Sequence, residues 1–155
     1  SGMDVFDYTY VEIDDRVQQL RELNRIGKVV LFTMGDRLEQ VKKICELHLM
    51  DFDFEVFDFK DATIFRHLCN KYLADRYCMI GDSLQRDVLP AIEAGLDIVI
   101  RISDDKESYW TEEDRHAKSY HEATDLNDAA ETIKEWLYEE RVDTLKGQPH
   151  FQNKD

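Results

Sequence analysis

Asp82 and Asp87 stand five residues apart in Gly81-Asp82-Ser83-Leu84-Gln85-Arg86-Asp87. The apolar run Tyr77-Cys78-Met79-Ile80 precedes them and Val88-Leu89-Pro90-Ala91-Ile92 follows, which predicts a strand turning into a helix at the pair. In an open α/β sheet such a turn faces the ligand crevice. Two carboxylates there suit a hard cation such as Mg²⁺, which takes oxygen ligands and bridges to phosphate. Read alone, Asp82 would serve equally as a helix N-cap.

Two further residues take similar positions. Thr33 ends the buried run Val29-Val30-Leu31-Phe32-Thr33 and is followed by Met34-Gly35-Asp36. A hydroxyl there, with the amides of the following turn, can hold phosphate oxygens, although by itself Thr33 is also an ordinary strand terminator. Lys60 follows Phe59 and opens a helix, where its ammonium can neutralise a phosphate and a carboxylate together. Most lysines at strand ends are merely solvated.

The elements that must position these groups alternate. Residues 8–13 alternate as a short strand. Asp14 to Ile26 reads as a helix with Val17, Leu20, Leu23 and Ile26 on one face, ended by Gly27. Lys28 to Thr33 is a buried strand. Asp36 caps a helix running to about Leu49 on Leu38, Val41 and Cys45. Phe52 to Phe59 holds a strand, and Asp61 to Leu73 a helix built on Ile64, Phe65, Leu68 and Cys69. Tyr77 to Ile80 is a strand, Leu84 to Ala94 a helix closed by Gly95, and Ile98 to Ile102 a third strongly buried strand. Pro90 is tolerable only in the first turns of its helix. Residues 103–125 read as irregular, and Leu126 to about Glu140 as a closing amphipathic helix. The pattern predicts a three-layer Rossmann-like α/β fold, a parallel sheet with helices on both faces and no visible cap domain. A single domain is expected over residues 1–142, with a polar tail at 143–155.

Of the 155 residues 43% are hydrophobic, enough for one real core, and the net charge is −14. That balance argues against nucleic acid and anionic membrane as partners, because both reward Lys and Arg. Cys45, Cys69 and Cys78 have no metal spacing and sit among apolar residues, so they read as buried free thiols in a reducing cytoplasm. His48, His67, His116, His121 and His150 show no ligand spacing. Tyr109-Trp110 is read as packing, and the acidic clusters at 112–114 and 139–140 as solvated faces.

Taken together and in order, Thr33, Lys60 and Gly81-Asp82-Ser83 to Asp87 resemble the second, third and fourth motifs of the haloacid dehalogenase-like hydrolase superfamily. Arg16 to Leu23 looks like the helix before the second motif, and Asp87 to Gly95 like the helix after the fourth. The resemblance covers residues 14–102. It implies a Mg²⁺-dependent phosphatase acting on a small phosphorylated substrate. Asp82 would ligate Mg²⁺, and Asp87 would support the metal site or pair with Lys60. Thr33 would bind the phosphoryl group, and Lys60 would hold nucleophile and phosphate in register. Metal and cation then act where negative charge gathers.

The family's first motif, Asp-x-Asp-x-Thr after a hydrophobic strand, is not found. Within Val5-Phe6-Asp7-Tyr8-Thr9-Tyr10-Val11, Asp7 is the nearest candidate nucleophile, with Thr9 in the acid's place and Val11 in that of the Thr. The more natural alignment makes residues 1–13 the exit from a cap domain, with the first motif upstream. The slot between the strands ending at Thr33 and Asp82 must then be filled by residues 4–13, by another chain, which favours a homodimer, or by a rearranged sheet. The alternative functions are a non-catalytic binding or scaffold domain of the same lineage and a receiver-like or flavodoxin-like module. A receiver needs its acidic pair after the first strand, whereas Asp82 follows a late one.

Overall fold

A computed structural model describes residues 8–11, 17–103 and 120–147. Six strands form one sheet in the order β3-β2-β1-β4-β5-β6, and every neighbouring pair is parallel. The strands are β1 Tyr8–Val11, β2 Lys28–Met34, β3 Asp53–Phe57, β4 Tyr77–Gly81, β5 Ile98–Ile102 and β6 His121–Ala123. The helices are α1 Val17–Ile26, α2 Arg37–Glu46, α3 Ala62–Lys71, α4 Leu89–Ala94 and α5 Leu126–Leu145.

Side chains on successive strand residues point to opposite faces, and the core divides accordingly. Val29 and Leu31 of β2, Cys78 and Ile80 of β4, and Ile98 and Ile100 of β5 join the helices α1, α2 and α5 in one cluster. Val30 and Phe32, Met79, and Val99 join α3 and α4 in the other. Strands buried on both sides are continuously apolar because both faces are covered, which explains why β2, β4 and β5 were legible as runs. The three-layer parallel α/β architecture expected from the sequence is the one observed.

The slot between β2 and β4 is filled by β1. Tyr8 pairs with Lys28 and Tyr77, and Val11 with Leu31 and Ile80. The sheet therefore reverses its winding between β1 and β4, and the crevice of such a fold opens at the carboxyl ends beside that reversal.

Several elements differ from expectation. On α2 the buried residue is Ile44, while Leu38 is 80% exposed. Cys45, one residue further round the helix, is exposed as well and is no buried thiol. The helix predicted from Leu84 starts as a π turn, Leu84–Val88, and becomes α-helical at Leu89. Pro90 thus falls at the first turn of the α-helical segment, where its missing N–H costs little. The strand β6 was expected to be irregular chain. It is three residues long, and of those only Ala123 is buried, so no periodicity marked it. The helix α5 continues to Leu145, beyond the expected end near Glu140 and into the segment read as a polar tail. Tyr109, Trp110, the acidic cluster at 112–114, His116 and His150 lie outside the described residues. No helix among the described residues is long and apolar enough to cross a membrane.

Candidate active site

The turn after β4 is built around Gly81. A Cβ on Gly81 would lie 2.6 Å from both Cβ and Oδ2 of Asp87, so a side chain there collides with the second carboxylate of the motif. Ser83, not Asp82, caps the following turn, its Oγ accepting the Arg86 backbone N–H at 3.1 Å. That leaves the Asp82 carboxylate uncommitted and exposed. Arg101, at the carboxyl end of the adjacent β5, donates from Nε to the Asp82 carbonyl at 3.3 Å and pins the turn from the other side.

Asp87 is turned inward and is 3% exposed. Its Oδ2 accepts the Ser83 backbone N–H at 3.1 Å, and its Oδ1 lies 2.7 Å from Lys60 Nζ. In sheet order β3 and β4 are separated by β2 and β1, so Lys60, from the loop after β3, reaches across both. Its ammonium also lies 4.7 Å from the centre of the Phe32 ring, a cation–π distance. Asp61 caps α3 directly after it by accepting the Ile64 N–H at 2.9 Å, which fixes where the loop ends.

Thr33 sits near the end of β2 and is 1% exposed. Its hydroxyl donates to Gln40 Oε1 at 2.9 Å. Gly35, at φ 139°, makes the turn that brings Gln40 back over the strand end, and a Cβ on Gly35 would come within 3.0 Å of Gln40 Nε2. The Gly35 N–H donates to the Phe57 carbonyl at 3.0 Å, tying this turn to the end of β3.

A cavity of about 220 Å³ is lined by Met34, Lys60, Asp82, Ser83, Arg86 and Asp87. The structure thus brings three of the four sequence-predicted residues, Lys60, Asp82 and Asp87, to one cavity at the carboxyl side of the sheet. Thr33 is adjacent in sequence to the lining residue Met34 but does not line the cavity itself. Asp7 lies outside the described residues. Gln40 and Arg86 were not singled out from the sequence. Gln40 had no signal, since its place depends on the Gly35 turn, whereas Arg86 lay between the two aspartates in plain view.

The donor set fits a Mg²⁺ ion held through one carboxylate, with water and phosphate completing the shell, the usual arrangement for that metal. Asp82 is the exposed carboxylate lining the cavity, since both oxygens of Asp87 already have partners. No group of three or more His, Cys, Asp or Glu able to enclose a metal occurs among the described residues.

A model of the HAD-hydrolase-like family matches residues 60–129, starting at Lys60. No curated protein matches the chain. Among solved structures, a haloacid dehalogenase-like family hydrolase from Xanthomonas campestris is 25% identical, with a TM-score of 0.63 over 80% of this chain and 50% of its own. The putative HAD-hydrolase YfnB from Bacillus subtilis, solved with magnesium bound, is 20% identical with a TM-score of 0.65, over 78% of this chain and 55% of its own. A putative beta-phosphoglucomutase from Thermotoga maritima is 16% identical, with a TM-score of 0.59 over 81% of this chain and 61% of its own. The chain therefore spans between half and about three fifths of the length of these proteins. The strand order, the cluster at the ends of β3 and β4, and the family match over that same stretch agree, and together they support membership of the haloacid dehalogenase-like hydrolase superfamily.

Proposed function

We propose that this chain forms the core of a Mg²⁺-dependent phosphoric-monoester hydrolase acting on a small phosphorylated metabolite in the cytoplasm. The observation that carries the reading is the convergence of Lys60, Asp82 and Asp87 on one cavity. A bound Mg²⁺ would supply charge neutralisation at the phosphoryl oxygens. Asp82 is the residue to hold it. Lys60, fixed by Asp87, offers a positive charge whose position costs no reorganisation when a phosphate arrives. Thr33, held by Gln40 and buried next to the lining residue Met34, supports the cavity wall from behind. The cavity volume of about 220 Å³ favours a phosphoryl group and its immediate attachment over a large ligand.

A second reading is a non-catalytic relative that binds metal and phosphate without turnover. It is favoured by the central strand, Tyr8-Thr9-Tyr10-Val11, which contains no carboxylate to act as nucleophile. Phosphate release from p-nitrophenyl phosphate separates the two. Mg²⁺-dependent release that Asp82→Asn abolishes supports the hydrolase. No Mg²⁺-dependent release from the wild type contradicts it and leaves the binding domain.

A further inference from the structure

The charges around the cavity do not all belong to the phosphoryl site. Lys60, the cation of the phosphoryl site, is held by Asp87 in a buried pair, their side chains 3% and 4% exposed. Two further charged groups lie on the wall, the Asp82 carboxylate and the Arg86 guanidinium, both exposed. Arg86 makes no ion pair among the described residues. Its Nε reaches Ser83 Oγ at 3.4 Å, a long contact to an oxygen that already accepts the Arg86 backbone N–H at 3.1 Å. The guanidinium therefore keeps nearly its full donor capacity.

Its place is nevertheless fixed. Arg86 sits in the π turn capped by Ser83, and that turn is closed by the Asp87 and Val88 amides donating to the Ser83 carbonyl at 2.9 and 3.1 Å. Asp87, the next residue, is anchored to Lys60. An arginine carried by a backbone this constrained, beside a cavity and without a carboxylate partner, presents a planar fork matched to a carboxylate or a phosphate. A simple monoester would leave that fork unused, because the phosphoryl group has Lys60 and the Asp82 metal position.

We propose that Arg86 is a second oxyanion-binding group, and that the ligand of this cavity carries two anionic groups close together. One is the phosphoryl group near Lys60 and Asp82. The other is a carboxylate or second phosphate on Arg86. The inference rests on the phosphate-site reading above and extends it to the class of substrate. The small volume of the cavity restricts the two groups to a short separation, on the order of one or two bonds beyond the phosphorus, since a drug-sized pocket starts at roughly 300 Å³.

Non-hydrolysable probes test this without requiring turnover. Calorimetric titration in the presence of Mg²⁺ compares methylphosphonate, which has one anionic group, with phosphonoacetate and methylenediphosphonate, which have two. The wild type is expected to bind at least one two-headed probe on the order of tenfold or more tightly than methylphosphonate, as a charge-assisted pair contributes. Whichever probe gains identifies the second group as carboxylate or phosphate. Arg86→Gln is expected to erase most of that gain while shifting methylphosphonate by far less. Arg86→Lys is expected to restore only part of it, since the ammonium cannot make the forked contact. If the two-headed probes gain nothing over methylphosphonate, or if Arg86→Gln weakens all three probes equally, the assignment of Arg86 is overturned while the phosphate site stands. If methylphosphonate itself fails to bind the wild type, the underlying phosphate-site reading fails as well.

Discussion

Lys60 Nζ lies 2.7 Å from Asp87 Oδ1, and both side chains are almost wholly removed from water. Burial removes hydration from both charges, and their mutual attraction offsets that cost only because each has further partners. For Asp87 the partner is the Ser83 N–H, and for Lys60 the face of the Phe32 ring. Removing one member leaves the other as an uncompensated buried charge. Lys60→Met and Asp87→Leu are each expected to destabilise the fold by about 3–5 kcal/mol. The double variant Lys60→Met/Asp87→Leu should lose much less than the sum. Urea denaturation of the four proteins measures the cycle, and additive single losses would deny the coupling.

Gly81 explains why the acidic motif opens on glycine. With any Cβ at 2.6 Å from Asp87, the carboxylate must move or the strand end must shift. Gly81→Ala is expected to cost about 1–3 kcal/mol by overpacking. It should also loosen the Lys60 pair, so that adding Asp87→Asn to Gly81→Ala costs less than Asp87→Asn alone. Thermal or urea unfolding of the three variants reports both effects.

Gln40 holds the Thr33 hydroxyl in a place where water does not reach it, since Thr33 is 1% exposed. Gln40→Leu strands that hydroxyl without a partner, at a cost of about 1–3 kcal/mol. Gln40→Glu keeps an acceptor and should cost less. A larger loss for Glu than for Leu in urea denaturation would contradict the assignment.

The three cysteines should differ in reactivity in the order of their exposure. Cys45 is exposed, Cys69 half-buried and Cys78 buried. Burial pushes the Cys78 thiol well above its ordinary range, with the nearby Asp97 charge adding to it, so little thiolate is available. With a chromogenic disulfide reagent, Cys45 should react first in the native protein, while Cys78 waits for unfolding. Because the Cys78 pKa is raised in the folded state, its neutral form stabilises the fold below the unfolded thiol pKa, and that contribution is lost only at alkaline pH.

The sequence made the interior strands β2, β4 and β5 plain because both their faces are buried, which turns period-two alternation into unbroken apolar runs. It left β1 and β6 ambiguous, being four and three residues long. Tyr8–Val11 takes the central slot, one of three arrangements the sequence allows, and only strand pairing distinguishes them. The stretches around Thr33, Lys60 and Asp82 could be recognised because strand ends and helix starts announce themselves locally. Gln40 and Arg86 could not be assigned, since one depends on a turn at Gly35 and the other on which acidic groups are already paired. On α2 the apolar residues Leu38, Val41 and Cys45 suggest one face, but packing buries Ile44. The neighbouring residue types were similar enough for either stripe, so hydrophobicity alone could not decide.

In the proposed function, Asp82 makes this cavity a Mg²⁺-assisted phosphate site. Calorimetric titration of inorganic phosphate into the wild type and into Asp82→Asn, each with and without Mg²⁺, tests it most directly. Phosphate binding to the wild type is expected to tighten by on the order of tenfold or more with Mg²⁺, and that tightening to be lost in Asp82→Asn. Phosphate affinity indifferent to Mg²⁺ in the wild type, or a Mg²⁺ effect that survives in Asp82→Asn, would contradict it.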